Sequence, residues 1–325
     1  MVTAVFEVGA ALLGACIGSF LNVVIYRVPA GRSLGGRSHC PRCGAAIRWF
    51  DNVPVFGWLL LAGKSRCCKQ PIVFRYAFVE LLTAALFWAL LWWPVGPPLL
   101  VAEGSAQHLD VSAAVAFGLH AVFVALLVAL TFIDFDTQLL PDALTKPGIT
   151  IGLLSGLWPG LLPPLVSDPS VSRALGTLLA AVAGSVVGGG VTWLIRAGGS
   201  ALFRKEAMGF GDVKLMAMIG AFVGWQGALL TMFLGCIAGA VVGVTIGITQ
   251  SRKGEGLGLK IPFGPYLALG AVVTLFGRDP ILHAIFVSWP EWQRRNPDAQ
   301  WILLSVALAS LFGLFFLVRR ARRSG

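Results

Sequence analysis

Hydrophobic positions in this chain gather into nine runs, at about 4–26, 76–95, 112–134, 146–163, 172–196, 210–225, 226–248, 263–277 and 301–318. A helix that crosses a membrane takes about 20 apolar residues, within a range of about 17–25. The pattern predicts an all-α polytopic membrane helical bundle of about eight to nine transmembrane helices. Some runs are interrupted: 146–163 holds Gly148, Gly152, Gly156 and Pro159. A bundle tolerates such breakers because neighbouring helices and side chains re-satisfy the backbone. The first run has neither a basic flank nor a small-residue cleavage site, so it reads as a span rather than a signal peptide.

Composition sharpens this. Of 325 residues, 57% are hydrophobic and 12% charged, against about 45–50% and about 25% in soluble domains. A soluble globular enzyme, a disordered protein and a fibrous one are excluded. The net charge of +10 reads as topology bias and attraction to anionic membrane lipid. No basic patch is interleaved with aromatics, so nucleic acid is not an expected partner.

The basic residues are unevenly spread. Segment 28–75 carries Arg32, Arg37, Arg42, Arg48, Lys64, Arg66, Lys69 and Arg75 against a single acid, Asp51. The positive-inside rule places this segment, 135–145 and 197–209 in the cytoplasm, with the N-terminus outside and the C-terminus inside. The expected organisation is a first transmembrane helix (1–27), a cytoplasmic cysteine-containing domain (28–75) and a helical core (76–277). An external loop, an extra C-terminal helix and a basic tail follow (278–325).

Charged residues near membrane depth are costly and usually functional. One cluster, Phe132-Ile133-Asp134-Phe135-Asp136-Thr137-Gln138-Leu139-Leu140-Pro141-Asp142, ends the third run. Another, Met208-Gly209-Phe210-Gly211-Asp212-Val213-Lys214, opens the sixth on the same face. Two carboxyls brought together share a proton, so one acts as general base on water and the other as general acid. That is aspartyl-protease chemistry. The residues alone do not choose among Asp134, Asp136 and Asp142, and Asp142 after Pro141 also suits a helix cap. Gly209 and Gly211 let the backbone adopt unusual angles and let an extended peptide approach. Asn22, Glu80 and Lys214 are further candidates for positioning a substrate, beside plain structural roles for each.

Of the six cysteines, Cys16 and Cys236 fall inside apolar runs. Cys40-Pro41-Arg42-Cys43 and Cys67-Cys68 fall in the basic segment, where a reducing cytoplasm favours metal over disulfide. Zinc through Cys40, Cys43 and Cys68, with Cys67 or His39 as the fourth ligand, is preferred over free thiols.

These motifs together resemble the type IV prepilin peptidases, from Gly18-Ser19-Phe20-Leu21-Asn22 and Tyr26-Arg27 to about residue 277. Asp51-Asn52-Val53-Pro54, Arg75-Tyr76, Val79-Glu80-Leu81, Ile133-Asp134, Leu140-Pro141-Asp142, Gly209-Phe210-Gly211-Asp212 and Pro262-Phe263-Gly264-Pro265-Tyr266 follow in order. The resemblance implies Asp134 and Asp212 as the catalytic pair. It also implies cytoplasmic removal of a short basic leader from prepilins or pseudopilins of a pilus or type II secretion assembly. Methylation of the new N-terminus from S-adenosylmethionine follows in many members. The acids of 134–142 are expected to attract the basic leader. The chain departs from the family pattern where Ser65 stands for a cysteine and Cys67 adjoins Cys68. A peptidase without methyl transfer, a secondary transporter with midplane acids and a structural secretion subunit are the competing readings.

Overall fold

The computed structural model describes residues 2–40, 42–93, 100–103, 106–158, 161–163, 165, 172–206, 208–253, 262–299, 301, 302, 305 and 309. Helix α1 (Val2–Arg27) enters a loop segment holding a 3-10 turn (Trp49–Asn52) and the short α2 (Phe56–Leu60). Helix α3 (Arg75–Trp92) follows, then strands β1 (Leu100–Glu103) and β2 (Ala106–Leu109). The bundle continues with α4 (Val111–Thr137), α5 (Asp142–Ser155), α6 (Arg173–Phe203), α7 (Phe210–Lys253) and α8 (Gly264–His283). A π turn (Ala284–Ser288) joins α8 to α9 (Trp289–Arg295).

Six helices among the described residues are long and apolar enough to cross a membrane, fewer than the nine runs suggest. Three things account for the difference. Helix α5 has 14 residues, about 21 Å at 1.5 Å per residue, short of a hydrocarbon core of about 30 Å. The runs at 210–225 and 226–248 are the two legs of one helical stretch, α7, which breaks between them at Gly224 (φ 73, ψ 175) and enters that number once. Most of the ninth run and the basic tail at 319–323 lie outside the described residues. A further departure from an all-helical reading is the antiparallel β1–β2 ribbon in 96–111, with Leu100 opposite Leu109 and Glu103 opposite Ala106.

The break at Gly224 is a reversal. Gly188 of α6 faces both Met216 and Ala228, residues that a straight helix would hold about 18 Å apart. Only a residue at ease with positive φ sits comfortably at such a corner. Arg278 of α8 pins it, its Nη1 donating to the Val223 carbonyl (3.4 Å) and its Nη2 to Gln226 Oε1 (2.7 Å). The first leg of α7 lies against α6 so closely that a Cβ on either Gly184 or Gly220 would run into the other's carbonyl. Small residues give membrane helices this close approach where burial from water drives nothing.

The core lies where α4, both legs of α7 and α8 meet. Phe123 stacks on Phe222, with ring centroids 4.5 Å apart. Leu127, Leu130, Leu215, Met216, Met218, Ile219 and Leu267 surround them, fully buried. Helix α1 packs antiparallel on α3, Gly14 meeting Thr83 and Phe87, and Gly18 meeting Val79 and Glu80. This arrangement gathers the end of α1 and the start of α3 at one end of the bundle, with the end of α4 and the starts of α5, α7 and α8.

Candidate active site

Asp134 and Asp212 meet at that end. Helix α4 continues past the predicted boundary to Thr137 before Gln138 closes it in the left-handed conformation (φ 54). Asp134 is therefore a helical residue on the inward face, 5% exposed. Asp136, two residues on and so on another face, has a side chain 44% exposed. Its carboxylate accepts from Arg75 Nη1 at 2.6 Å. Asp134 Oδ2 accepts from the Gly264 amide at 3.0 Å, where α8 begins. A Cβ at 264 would sit 2.6 Å from that oxygen, so only glycine fits. Gly264 is a site residue to which sequence reasoning attached no role. Its signal was the Pro262-Phe263-Gly264-Pro265-Tyr266 motif.

Asp212 lies in the first turn of α7, 8% exposed, and its carboxylate accepts from the Gly209 amide. The two aspartates are close enough for the charge on one to act on the other. Gly211 packs against Leu140, so its missing side chain admits the 138–141 turn. A Cβ on Gly209 would meet the Asp212 carboxylate at 3.6 Å and the Gly211 amide nitrogen at 3.9 Å.

The other candidates have structural partners. Lys214 pairs with Asp142 and lies 5.1 Å over the Phe210 ring. Asp142 is the first residue of α5, not its cap, which is Pro141. It also pairs with Lys146 at 2.9 Å, and hydrogen bonds from Lys146 and then Lys214 hold its carboxyl below the usual range. With Asp136 and Asp142 both paired, the acidic stretch has little free charge to attract a basic leader. Asn22 donates to the Tyr76 carbonyl at 3.0 Å. Glu80, buried, accepts from the Val55 amide at 2.7 Å. It thereby anchors the cysteine segment at a residue with positive φ (63).

The sulfurs of Cys40, Cys43, Cys67 and Cys68 all lie within 4.8 Å of one another. Cys40 and Cys68 are 3.8 Å apart, and Cys43 and Cys67 are 3.3 Å apart. A tetrahedral zinc with Zn–S of about 2.3 Å spaces its sulfurs about 3.8 Å apart, so this donor set fits that ion. The adjacent cysteines both reach inward, and Cys67 rather than His39 completes the set. Ser65, in the departing position, donates or accepts at Cys68 Sγ (3.1 Å). Backbone amides of Cys43 and Arg42 hold the Cys40 thiol down, to about 6.

A cavity of about 1030 Å³ opens between the cysteine segment and the ends of α1 and α3. Asn22, Tyr26, Tyr76 and Glu80 line its membrane side, and Arg37, Arg42 and Arg48 its outer wall. Neither catalytic candidate lines it. Asn22 and Glu80 thus belong with the cysteine segment rather than with the aspartates.

Residues 12–94 match the bacterial peptidase A24 N-terminal domain, and residues 121–244 match the type IV leader peptidase family. The chain is similar to a prepilin leader peptidase/N-methyltransferase of Pseudomonas aeruginosa, 36% identical over 299 residues, covering 83% of this chain and 90% of that protein. One from Stutzerimonas stutzeri is 34% identical over 305 residues, covering 85% and 92%. One from Neisseria gonorrhoeae is 32% identical over 301 residues, covering 85% and 92%. No solved structure matches the chain.

Proposed function

The chain belongs to the type IV leader peptidase family and is a membrane aspartic peptidase; from that premise we propose that Asp134 and Asp212 cleave the leader from type IV prepilins or pseudopilins at the cytoplasmic face. The observation that carries this is the pair itself. Two buried carboxyls from different helices meet at the bundle end that bears the basic segment. One, ionised, takes a proton from water as that water attacks the scissile carbonyl. The other, protonated, donates to the carbonyl oxygen, and the tetrahedral adduct collapses as a proton passes to the leaving amine. The Gly264 and Gly209 amides fix the two carboxylates without adding charge. The test is leader removal from a purified prepilin by detergent-solubilised protein. Asp134→Asn and Asp212→Asn are each expected to abolish it while the circular dichroism stays wild type. Full processing by either variant overturns the assignment.

The finer parts of the reading concern methyl transfer, metal and orientation. S-adenosylmethionine supplies an electrophilic methyl group for the amine that cleavage exposes. The cavity beside the cysteine segment suits such a molecule. The rings of Tyr26 and Tyr76 would be available to its adenine, and Arg37 and Arg42, which make no ion pair among the described residues, would suit its carboxylate. Cys40, Cys43, Cys67 and Cys68 would hold a zinc ion, which would order the outer wall of that cavity. The N-terminus outside and the C-terminus inside follow from the distribution of basic residues.

A further inference from the structure

Arg75 is the last residue of the cysteine-bearing segment and the first of α3. Its guanidinium makes three contacts with one turn of α4. Nη1 donates to Asp136 Oδ1 at 2.6 Å, and Nη2 donates to the Phe132 carbonyl at 3.1 Å. The group also lies 4.9 Å over the Phe132 ring. Phe132 in turn meets Phe78 of α3 edge-on, with centroids 6.2 Å apart. Residues 132 and 136 are one helical turn apart and bracket Asp134. The turn needs holding, because the helix stops one residue after Asp136, at Thr137. Each residue of helix adds about 100° of rotation, so a small unwinding of this last turn swings Asp134 away from Gly264 and Asp212. A planar fork that bonds a carboxylate, a carbonyl and a ring face at once is chemistry that arginine has and lysine lacks.

We propose that Arg75 is a positioning residue for the aspartate site, clamping the last turn of α4 through Phe132 and Asp136 and thereby tying the geometry of Asp134 to the ordered state of the cysteine segment. The tie has a physical route. A bridge between Lys64 and Pro71 and the Ile72 amide bonded to the Gly63 carbonyl hold the stretch that leads into Arg75. The same stretch follows Cys67 and Cys68. Loosening the cysteine cluster frees that lead-in, and the clamp with it. This rests on the assignment of Asp134 as catalytic.

The experiment measures kcat and KM for leader removal in Arg75→Gln, Arg75→Lys, Asp136→Asn and the Arg75→Gln/Asp136→Asn double variant. A misplacement of about 1 Å costs on the order of 10²-fold in rate. Arg75→Gln and Asp136→Asn are each expected to lose about ten- to a hundredfold in kcat, with KM within about twofold. The double variant is expected to be no slower than the slower single. Arg75→Lys should recover only a small part, since it keeps the charge and loses the fork. Chelator treatment should lower the wild-type kcat and leave that of Arg75→Gln unchanged. Wild-type kcat in Asp136→Asn, or losses that multiply in the double variant, would overturn the proposal. If Arg75→Gln does not fold, Asp136→Asn reaches the same clamp from its exposed side without touching the cysteine segment. Cleavage surviving in Asp134→Asn would instead defeat the catalytic assignment, a result separable from any of these.

Discussion

Within 28–74 the only buried described residues are Cys40, Gly57 and Gly63, whereas Phe123, Leu127, Leu215, Met216 and Leu267 of the bundle are each 1% exposed or less. The bundle is held by close-packed side chains and by backbones touching at glycines. The cysteine segment has almost no apolar interior. Polar links hold it instead: Arg27 donating to the carbonyls of Ser33, Leu34, Gly35 and Arg37, the Asp51–Arg66 pair, the Glu80–Val55 bond and four converging thiols. A segment of this kind stays folded through crosslinks. A bundle of this kind stays folded through shape. Changes aimed at one should leave the melting of the other intact, even where the Arg75 clamp passes a small shift to the last turn of α4, and that separation can be tested.

The largest effect belongs to shape. A side chain at Gly220 has no room beside the Gly184 carbonyl, and neither backbone can yield without parting α6 from α7. Gly220→Val is expected to cost more than about 3 kcal/mol, beyond ordinary overpacking, and to remove the thermal transition of the bundle in detergent. In the segment, Gly36 has positive φ (95) with open space around it. Gly36→Ala should cost only the backbone term, about 1–2 kcal/mol, and leave the bundle transition in place. Equal losses at the two positions would erase the distinction.

The next effect belongs to crosslinks. Cys40→Ser with Cys43→Ser should lower the metal content from one zinc per chain to none. It should also expose 28–75 to protease while the bundle transition moves by no more than a few degrees, because the folding free energy of such a site is largely its metal. Elemental analysis of wild-type protein prepared without chelator, with limited proteolysis, is the check. Zinc absent from the wild type would remove the metal from the links that hold the segment, and a bundle that melts with the segment would show that the two regions are one cooperative unit.

The two regions also differ in how well the sequence discloses them. Long apolar runs mark the helices, because lipid-facing and core-facing positions are both apolar. Their number is blurred for the same reason: nothing in the apolar pattern says that α5 stops after 14 residues, although the division between 210–225 and 226–248 does fall beside the corner at Gly224. Asp134 and Asp212 stand out as acids in an apolar context. Their partners do not, since Gly264 and Gly209 act through backbone amides that every residue type but proline carries. Cysteine spacing disclosed the thiol cluster. That adjacent Cys67 and Cys68 both point inward depends on backbone geometry at Ser65–Lys69, where Lys69 takes a positive φ (57) that its side chain does not advertise. Arg75, Lys64 and Arg66 look alike as basic residues of one loop, and only folding sorts a helix clamp from an ion pair.

The smallest effect lies in that ion pair. Arg66 donates from Nε to both oxygens of Asp51, each at 2.9 Å, and from Nη2 to Oδ1 at 2.7 Å. Hydrogen bonds from Arg66 hold the Asp51 carboxyl below the usual carboxylate range. A carboxyl whose value is depressed by folding stabilises the fold fully above its unfolded value, about 3.9, and loses that contribution as pH falls through the folded value. The pair closes the 3-10 turn at Trp49–Asn52 onto the turn carrying Cys67, so the loss should appear there first. Amide-exchange protection of residues 49–52, corrected for intrinsic exchange, is expected to be flat from about pH 7 to about pH 5 in the wild type and to fall below about pH 4. Asp51→Asn should be about two- to fivefold less protected at pH 7, the scale of a partly exposed pair, and should lack the acid fall. The protection of α4 and α7 should change in neither protein over that range. An acid fall of equal size in Asp51→Asn would assign the pH response to another group and remove this pair from the links that hold the segment.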